Sequence, residues 1–271
     1  MMSFTAPLAF LPEGLDGGGL LALLLAAFAA GWVDAVVGGG GLLQLPALLL
    51  VPGMTPLQAL ATNKLASSFG SATSSISYYR SVRPNLRSAL PMAGVALLSA
   101  VGGASLAAFI PAEVFKPVIL VALVGVAALT VFKPSLGTVT KHHPAGTKRA
   151  AWAFVAGAGI GFYDGLLGPG TGTFLVLALV TVLGYDFLMA SANAKIVNFA
   201  TNVGSLILFI PLGAVIWPLG VLMGLANVLG SFIGSRMAVA KGARFVRVIF
   251  LIVVAALIAK LGADIWFGAQ R

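Results

Sequence analysis

Two glycine-rich interruptions within apolar runs constrain the fold of this chain more than any other feature. The first lies in residues 31–51, GWVDAVVGGGGLLQLPALLLV, and the second in residues 161–185, GFYDGLLGPGTGTFLVLALVTVLGY. Each predicts an apolar helix with one aspartate, then a break, then a helix of about half the length that a bilayer crossing needs. In a membrane, broken backbone is tolerated only where protein or a water-filled cavity supplies hydrogen-bond partners. Two such breaks in corresponding positions therefore indicate a substrate pathway.

The composition predicts a helical membrane protein. The chain has 271 residues, of which 59% are hydrophobic and 8% are charged, and its mean hydropathy is +1.05. A soluble domain of this size cannot bury so much apolar surface. The net charge of +9 does not indicate a nucleic-acid partner, because the basic residues fall in short loops between apolar runs, as membrane topology requires. There is no cysteine, and we expect neither a cofactor nor a metal ion. The first basic residue is Lys64, so we expect no cleaved signal peptide.

The chain repeats its order of segments. The first series has an apolar helix at 20–37, a break at 38–41, a half-length helix at 42–51, a polar helix at 57–79, and spans at 89–109 and 114–132. The second series has these segments at 150–167, 168–172, 173–183 and 187–210, with spans at 214–237 and 245–267. Matched residues return 130 or 131 positions later: Gly31, Asp34, Gly38, Gly40 and Lys64 recur as Gly161, Asp164, Gly168, Gly170 and Lys195. We predict two repeats, residues 20–132 and 150–267, joined by a linker at 133–149.

The distribution of basic residues predicts how the repeats are oriented. If each broken segment is a re-entrant hairpin, each half makes three full crossings, and the odd number inverts the second half relative to the first. Eleven of the 16 lysines and arginines then share one face, in the loops at 80–87, 133–149 and 236–247. Lys116, Lys260 and Arg271 lie toward the other face. The positive-inside rule makes the linker cytoplasmic and both termini periplasmic. We therefore predict an all-α polytopic membrane protein with two inverted-topology repeats, each a broken re-entrant hairpin plus three transmembrane helices.

Two lysines lie at matched positions inside the polar helices. An ionisable residue within a span is costly and is by default a functional candidate, so we expect Lys64 and Lys195 to face a central cavity and bind an anion. A structural ion pair with the aspartate of the same half, Asp34 or Asp164, is the alternative. The polar side chains expected to assist the lysines are Thr62, Asn63, Ser67, Asn193, Asn198 and Asn202.

The helix starts after the breaks are a second source of positive potential, since helix N-termini present unpaired N–H groups. The residues expected to hold an oxyanion there are Gly40, Gly41, Gly170 and Thr171, with Gln44 as a further donor. Alternatively, the glycines only permit a tight turn or close helix packing. Asp34 and Asp164 are candidates for proton coupling, because a lone buried carboxylate tends to bind a proton.

Four motifs together resemble the sulfite exporter TauE/SafE family, also called DUF81 or TSUP. They are the GGGG break at 38–41, ATNK at 61–64, YDGLLGPGTG at 163–172 and NAKIVNFATN at 193–202. The resemblance extends over about residues 20–261. It implies a bacterial inner-membrane permease, and not an enzyme, for sulfite, thiosulfate, sulfonates or related small anions. The family spans several substrates, so the resemblance fixes neither the substrate nor the direction of transport nor the coupling ion.

We therefore expect a secondary transporter that exports small sulfur-containing anions and binds them near mid-membrane between the repeats. Its expected partners are the anionic substrate and the lipid bilayer, and a homodimer is compatible with the sequence. One alternative is a passive anion channel, which needs no alternating access. Another is an intramembrane aspartyl protease in which Asp34 and Asp164 share a proton and activate water. The protease is disfavoured because Tyr163, rather than glycine, precedes the second aspartate.

Overall fold

The computed structural model describes residue 12, residues 14–107, residue 109 and residues 147–268, and all regular structure in these residues is helical. The helices are α1 (Gly17–Val37), α2 (Gly41–Leu49), α3 (Pro56–Ser81), α4 (Leu86–Ala107), α5 (Thr147–Leu166), α6 (Thr171–Ala178) with a π-helical turn at Leu179–Leu183, α7 (Phe187–Phe209) and α8 (Trp217–Gly268). Helix α8 is interrupted at Gly242, whose φ of 74° and ψ of −174° are not helical. It therefore consists of two arms, residues 217–241 and 243–268. The predicted all-helical class is confirmed for the described residues.

Part of the predicted organisation lies outside the described residues. This is true of the span at 114–132 and of the linker up to residue 146. The last three residues of the predicted linker, 147–149, instead form the start of α5. The number of crossings, the two repeats and their boundaries therefore stay predictions.

Capping residues explain where several helices begin. The Thr55 hydroxyl accepts a hydrogen bond from the Gln58 N–H at 3.2 Å, and the Gln58 side chain accepts one from the Thr55 N–H at 3.0 Å. This reciprocal arrangement satisfies two backbone donors at the start of α3. Asp186 caps α7 in a similar way, since its carboxylate accepts from the Met189 N–H at 2.8 Å. Both polar helices therefore start at positions fixed by their own sequence.

Glycines in the left-handed conformation produce the two breaks. Gly38, which ends α1, has φ of 87°, and Gly168 and Gly170, which flank Pro169 after α5, each have φ of 85°. Residues with a side chain rarely adopt such φ values. These glycines turn the chain from α1 into α2 and from α5 into α6 within three or four residues.

The helices pack in a reciprocal pattern. Helix α1 packs against the first arm of α8, and α5 packs against α4. Glycines allow both close approaches: Gly31 and Gly230 serve the α1–α8 contact, and Gly161 and Gly165 serve the α5–α4 contact. The polar helix α3 lies against α8 and α7, while the polar helix α7 lies against α4 and α3. The helix before each break and the polar helix after it thus contact elements from the other half of the chain.

The outer surface is apolar while the interior holds polar groups. Helices α1 and α4 are long and apolar enough to cross a membrane. Large apolar side chains are exposed along several helices, including Leu25 at 60%, Leu98 at 72% and Leu229 at 61%. Exposed apolar surface on this scale is typical of contact with a membrane or with another protein. The polar side chains that the sequence concentrates in α3 and α7 are directed inward, and this places the candidate site.

Candidate functional site

The two glycine breaks meet at the centre of the molecule. The Thr173 N–H donates a hydrogen bond to the Gly38 carbonyl at 3.1 Å. The backbones of Gly38 and Gly172 touch so closely that a Cβ atom on either glycine would collide with the other. The two breaks are therefore in direct backbone contact. The breaks therefore need glycine for close packing of one half against the other, in addition to the turn itself.

Each lysine of the polar helices forms an ion pair with an aspartate that lies before a break. Lys64 Nζ is 2.6 Å from Asp164 Oδ1, and Lys195 Nζ is 2.9 Å from Asp34 Oδ2. Both lysines are buried, with relative exposures of 1% and 0%. Both ion pairs connect residues of the first half with residues of the second.

The pairing within each half that the sequence suggested is therefore wrong. Lys64 does not pair with Asp34, and Lys195 does not pair with Asp164. The physical reason is the contact between the glycine tips. Since Gly38 and Gly172 touch, the aspartate located one turn before each break is brought beside the polar helix of the other half. The exchange makes both ion pairs links between the halves.

A small cavity of about 20 Å³ lies at the meeting point of the tips and the ion pairs. Most of the predicted site residues line it: Asp34, Gly41, Asn63, Lys64, Ser67, Asp164, Gly170, Thr171, Asn198 and Asn202. The break residues Gly38, Gly168 and Gly172 complete its wall. The polar stripes of α3 and α7 and the starts of both half-length helices thus converge on one point.

Five of the predicted site residues do not line this cavity. Thr62 accepts a hydrogen bond from the Ile216 N–H at 3.1 Å, and the Asn193 amide donates to the Met189 carbonyl within its own helix at 2.8 Å. Gly40 packs against the Ala30 carbonyl and the side chain of Asp34. The Gln44 side chain accepts a hydrogen bond from the Asn227 amide. Lys195 does not line the cavity, but its ion-pair partner Asp34 does. The two lysines, which are equivalent in the sequence, are therefore not equivalent in the structure.

The starts of α2 and α6 give the cavity a positive lining. Gly41 begins α2, Thr171 begins α6, and no side chain caps either helix. Most N–H groups at these starts already donate to carbonyls of the breaks, as Leu42 does to Gly39 and Thr173 does to Gly38. The starts therefore contribute mainly the positive ends of their helix dipoles, about half a charge each. Because both helices begin at the cavity wall, their dipoles add to the charge of Lys64. This arrangement is suited to an anion.

Several buried polar atoms around the cavity have no hydrogen-bond partner within the described structure. They are Asp164 Oδ2, Asn63 Oδ1 and Asn202 Nδ2. A buried polar atom without a partner is costly, and such groups in a folded protein need an explanation. All three residues line the cavity. The lining therefore has unused capacity to bind a polar ligand.

Sequence reasoning missed a polar group in α8. The Asn227 amide donates to Gln44 Oε1 at 2.8 Å, and the Ser231 hydroxyl donates to the Gly31 carbonyl at 3.1 Å. Asn227 also lies in the space left by Gly31 and Gly70. The signal was available, because Asn227, Ser231 and Ser235 recur every four residues and so share one face of a helix. Asn227 and Ser231 connect α2 and α1 to α8, and Ser235 connects α3 to it.

Comparison with known proteins identifies the family. The profile described as "Sulfite exporter TauE/SafE" matches residues 23–261. This chain belongs to the sulfite exporter TauE/SafE family. Membership makes it a helical membrane protein of a transporter family and not an enzyme, so the aspartyl protease alternative is not supported.

Three bacterial relatives match the chain over nearly its whole length. A probable membrane transporter protein, ORF9 of Sinorhizobium sp, is 42% identical over 254 residues, which cover 91% of this chain and 95% of the relative. The probable membrane transporter protein YfcA of Escherichia coli (strain K12) is 36% identical, with 89% of each chain covered. A probable membrane transporter protein of Haemophilus influenzae is 34% identical, with 94% of this chain and 98% of the relative covered. No solved structure matches the chain significantly.

Proposed function

We propose that this protein is a secondary transporter that exports small sulfur-containing anions, such as sulfite, thiosulfate or organosulfonates, across the bacterial inner membrane. The family description supports the substrate class, and the names of the bacterial relatives support membrane transport. The observation that carries the proposal is the position of the Lys64–Asp164 ion pair in the wall of a cavity that both half-helix starts also line.

The chemistry of the lining suits a sulfur oxyanion. Such an anion has several oxygen acceptors and needs donors from more than one direction. Lys64 supplies a charged donor, the starts of α2 and α6 supply the positive ends of two helix dipoles, and Asn202 Nδ2 is a donor without a partner. Hydrogen bonds between a charged donor and an anion are stronger than neutral ones. The anion would then bind between the two glycine tips.

The cavity is closed to such an anion in this conformation. A volume of about 20 Å³ holds about one water molecule, whereas even sulfite has four non-hydrogen atoms. Substrate entry therefore requires the two halves to separate at the tips. Because the ion pairs Lys64–Asp164 and Lys195–Asp34 join the halves, at least one must rearrange. We propose that the anion takes the place of Asp164 beside Lys64.

Displacement of a buried carboxylate provides a route to proton coupling. Once the anion neutralises Lys64, Asp164 is left as a charge without its partner, and an unpaired charge is costly in a buried site. Uptake of a proton removes that cost, so the anion and the proton move together. Asp34 would play the same part if the anion reached Lys195. Coupling by these two aspartates is part of the proposal.

The proposed topology follows from the charge distribution and is supported by the reciprocal packing. It has six crossings, two re-entrant hairpins whose tips meet near mid-membrane, and both termini in the periplasm. The reciprocal packing of α1 on α8 and of α5 on α4 is compatible with two repeats, and their inverted orientation is inferred from the charge distribution. Alternating access would then be a movement of one repeat against the other around the site between the tips.

Purified protein in liposomes tests the proposed function. Internal accumulation of sulfite, thiosulfate, an organosulfonate, sulfate and chloride is measured with an imposed pH difference. We expect one or more of the sulfur-containing anions to accumulate above the external concentration, and chloride not to accumulate. Uptake that stops at equal concentrations under every gradient would favour the passive channel. Absence of uptake for all sulfur-containing anions would contradict the proposed substrate class.

A further inference from the structure

The turn between α3 and α4 forms a basic cavity far from the candidate transport site. An open cavity of about 620 Å³ lies over residues 79–87, which we call the basic turn. Its lining includes Arg80, Arg83 and Arg87 together with Asn85 and Tyr79. All five side chains are exposed. Three cations within eight residues make this cavity strongly attractive to an anion.

These arginines differ from other basic residues at the same end of the molecule. The Arg236 guanidinium lies 4.1 Å from the centre of the Phe232 ring, and Lys241 Nζ lies 4.8 Å from the centre of the Phe245 ring. The three arginine side chains of the basic turn have no such ring contact, hydrogen bond or ion pair within the described structure. Their charges are therefore available to a ligand.

Two features of the basic turn are energetically unfavourable: the backbone conformation of Arg83 and the position of Arg87 at the start of a helix. Arg83 has φ of 54° and is the non-glycine residue with a positive φ in the described part of the chain. Residues other than glycine, asparagine and aspartate seldom adopt this left-handed conformation. Arg87 lies in the first turn of α4, where the positive end of the helix dipole disfavours a cation. A bound anion would offset this repulsion.

Apolar side chains continue the surface from the arginines toward the membrane. Ile76 lies four residues before Arg80 on α3, and Leu90 lies three residues after Arg87 on α4, so each shares a helix face with an arginine. Ile76 is 55% exposed and Leu90 is 56% exposed. The combined surface places a site for a phosphate next to a site for hydrocarbon chains. A phospholipid has these two parts in this order.

We propose that the basic turn binds the headgroup phosphate of an anionic phospholipid, whose acyl chains lie against Ile76 and Leu90. The orientation that the positive-inside rule gives to residues 80–87 places the turn at the cytoplasmic leaflet, where anionic lipids attract clustered arginines. The bound lipid sits at the end of α3, the helix that also carries Lys64. This inference does not depend on which anion is transported.

Binding of short-chain lipids to the purified full-length protein in neutral detergent tests the proposal. The probes are dioctanoyl phosphatidylglycerol, dioctanoyl phosphatidylcholine and glycerol 3-phosphate, and native mass spectrometry measures their occupancy. The test variant carries Arg80→Gln, Arg83→Gln and Arg87→Gln. The control carries Arg236→Gln, Lys241→Gln and Arg244→Gln, which change the net charge equally with residues that are also exposed.

We expect phosphatidylglycerol to bind the wild type more tightly than the other two probes. Its Kd should rise about tenfold or more in the test variant, because three charges near the phosphate are lost, and less than about twofold in the control. An equal loss in both variants would show that only total charge matters and would overturn the proposal. Binding of phosphatidylcholine as tight as that of phosphatidylglycerol would also overturn it. So would equally tight binding of glycerol 3-phosphate, because it would identify a free phosphate compound as the ligand. Should the triple variant fail to fold, Arg83→Gln alone is compared with Arg236→Gln. The loss of one charge should raise the Kd about fivefold in Arg83→Gln and less than about twofold in Arg236→Gln, and an equal change in both would overturn the proposal.

Discussion

Replacement of Lys64 by methionine tests the exchanged ion pairs. Lys64 is buried at 1% exposure and lies 2.6 Å from Asp164. Methionine has a similar length but no charge, so Lys64→Met leaves Asp164 buried without its partner. Removing one member of a buried ion pair typically costs about 3–5 kcal/mol. We therefore expect a marked loss of folded protein and of thermal stability for the single variant.

A second substitution then identifies the partner. Removing the remaining charge with Asp164→Asn should restore most of the lost stability, because replacement of both members of a buried pair is often close to neutral. The matched control is Asp34→Asn in the same Lys64→Met background. It should not restore stability, because it leaves Asp164 unpaired and also deprives Lys195 of its partner at 2.9 Å.

Thermal unfolding of detergent-purified protein, followed by the fraction that remains monodisperse on heating, measures these differences. The predicted order of stability is wild type, then Lys64→Met/Asp164→Asn, then Lys64→Met, with Lys64→Met/Asp34→Asn lowest. Rescue by Asp34→Asn rather than by Asp164→Asn would refute the exchanged pairing. Equal stability of all four proteins would refute the conclusion that the pair is buried and intact.

The remaining predictions concern packing, coupling and topology. Gly172→Ala should destabilise the protein by about 1–3 kcal/mol through overpacking of the contact between the breaks, and it should reduce uptake into liposomes. The control is Gly94→Ala, where a Cβ atom meets nothing within 4 Å, and it should leave both stability and uptake unchanged. Normal uptake by Gly172→Ala would contradict the need for close contact between the breaks. Asp164→Asn and Asp34→Asn each leave a buried lysine without its partner and should also be less stable than the wild type. In the fraction that remains folded, anion binding should stay measurable but uptake should no longer respond to an imposed pH difference. A response like that of the wild type in both variants would assign these aspartates a structural role only. The chain has no native cysteine, so a single introduced cysteine is the only thiol that can be labelled. In the proposed topology, Ser81→Cys and Ala145→Cys should react with a membrane-impermeant thiol reagent only from the cytoplasm, and Leu212→Cys only from the periplasm. Labelling of position 145 from the periplasm would contradict the inverted topology.

Much of the helical order follows from the sequence alone. Glycine runs mark the ends of α1 and α5, because only glycine readily adopts the left-handed conformation seen at Gly38 and Gly168. The capping residues Thr55 and Asp186 mark the starts of the polar helices. Ten apolar residues are too few for a crossing, and this predicts the half-length helices. Local signals of this kind do not depend on the tertiary structure.

The partners of the buried charges could not be predicted in the same way. Two lysines and two aspartates at matched positions allow pairing within each half or between halves, and residue spacing does not distinguish these. Only the contact between Gly38 and Gly172 determines which lysine pairs with which aspartate, and this contact joins residues 134 positions apart. The difference between Lys64, which lines the cavity, and Lys195, which does not, has the same tertiary origin.

Anion binding by the doubly substituted protein tests the central claim most directly. Lys64→Met/Asp164→Asn is expected to fold, so a loss of binding in it reports on the lysine itself and not on misfolding. Calorimetric titration with the sulfur-containing anion that the liposome panel identifies should give a clear binding signal for the wild type. A hydrogen bond from a charged donor contributes about 1.5–3 kcal/mol, so we predict that affinity falls on the order of ten- to 100-fold in the double variant. Binding of equal affinity in the two proteins would contradict the assignment of the anion to Lys64.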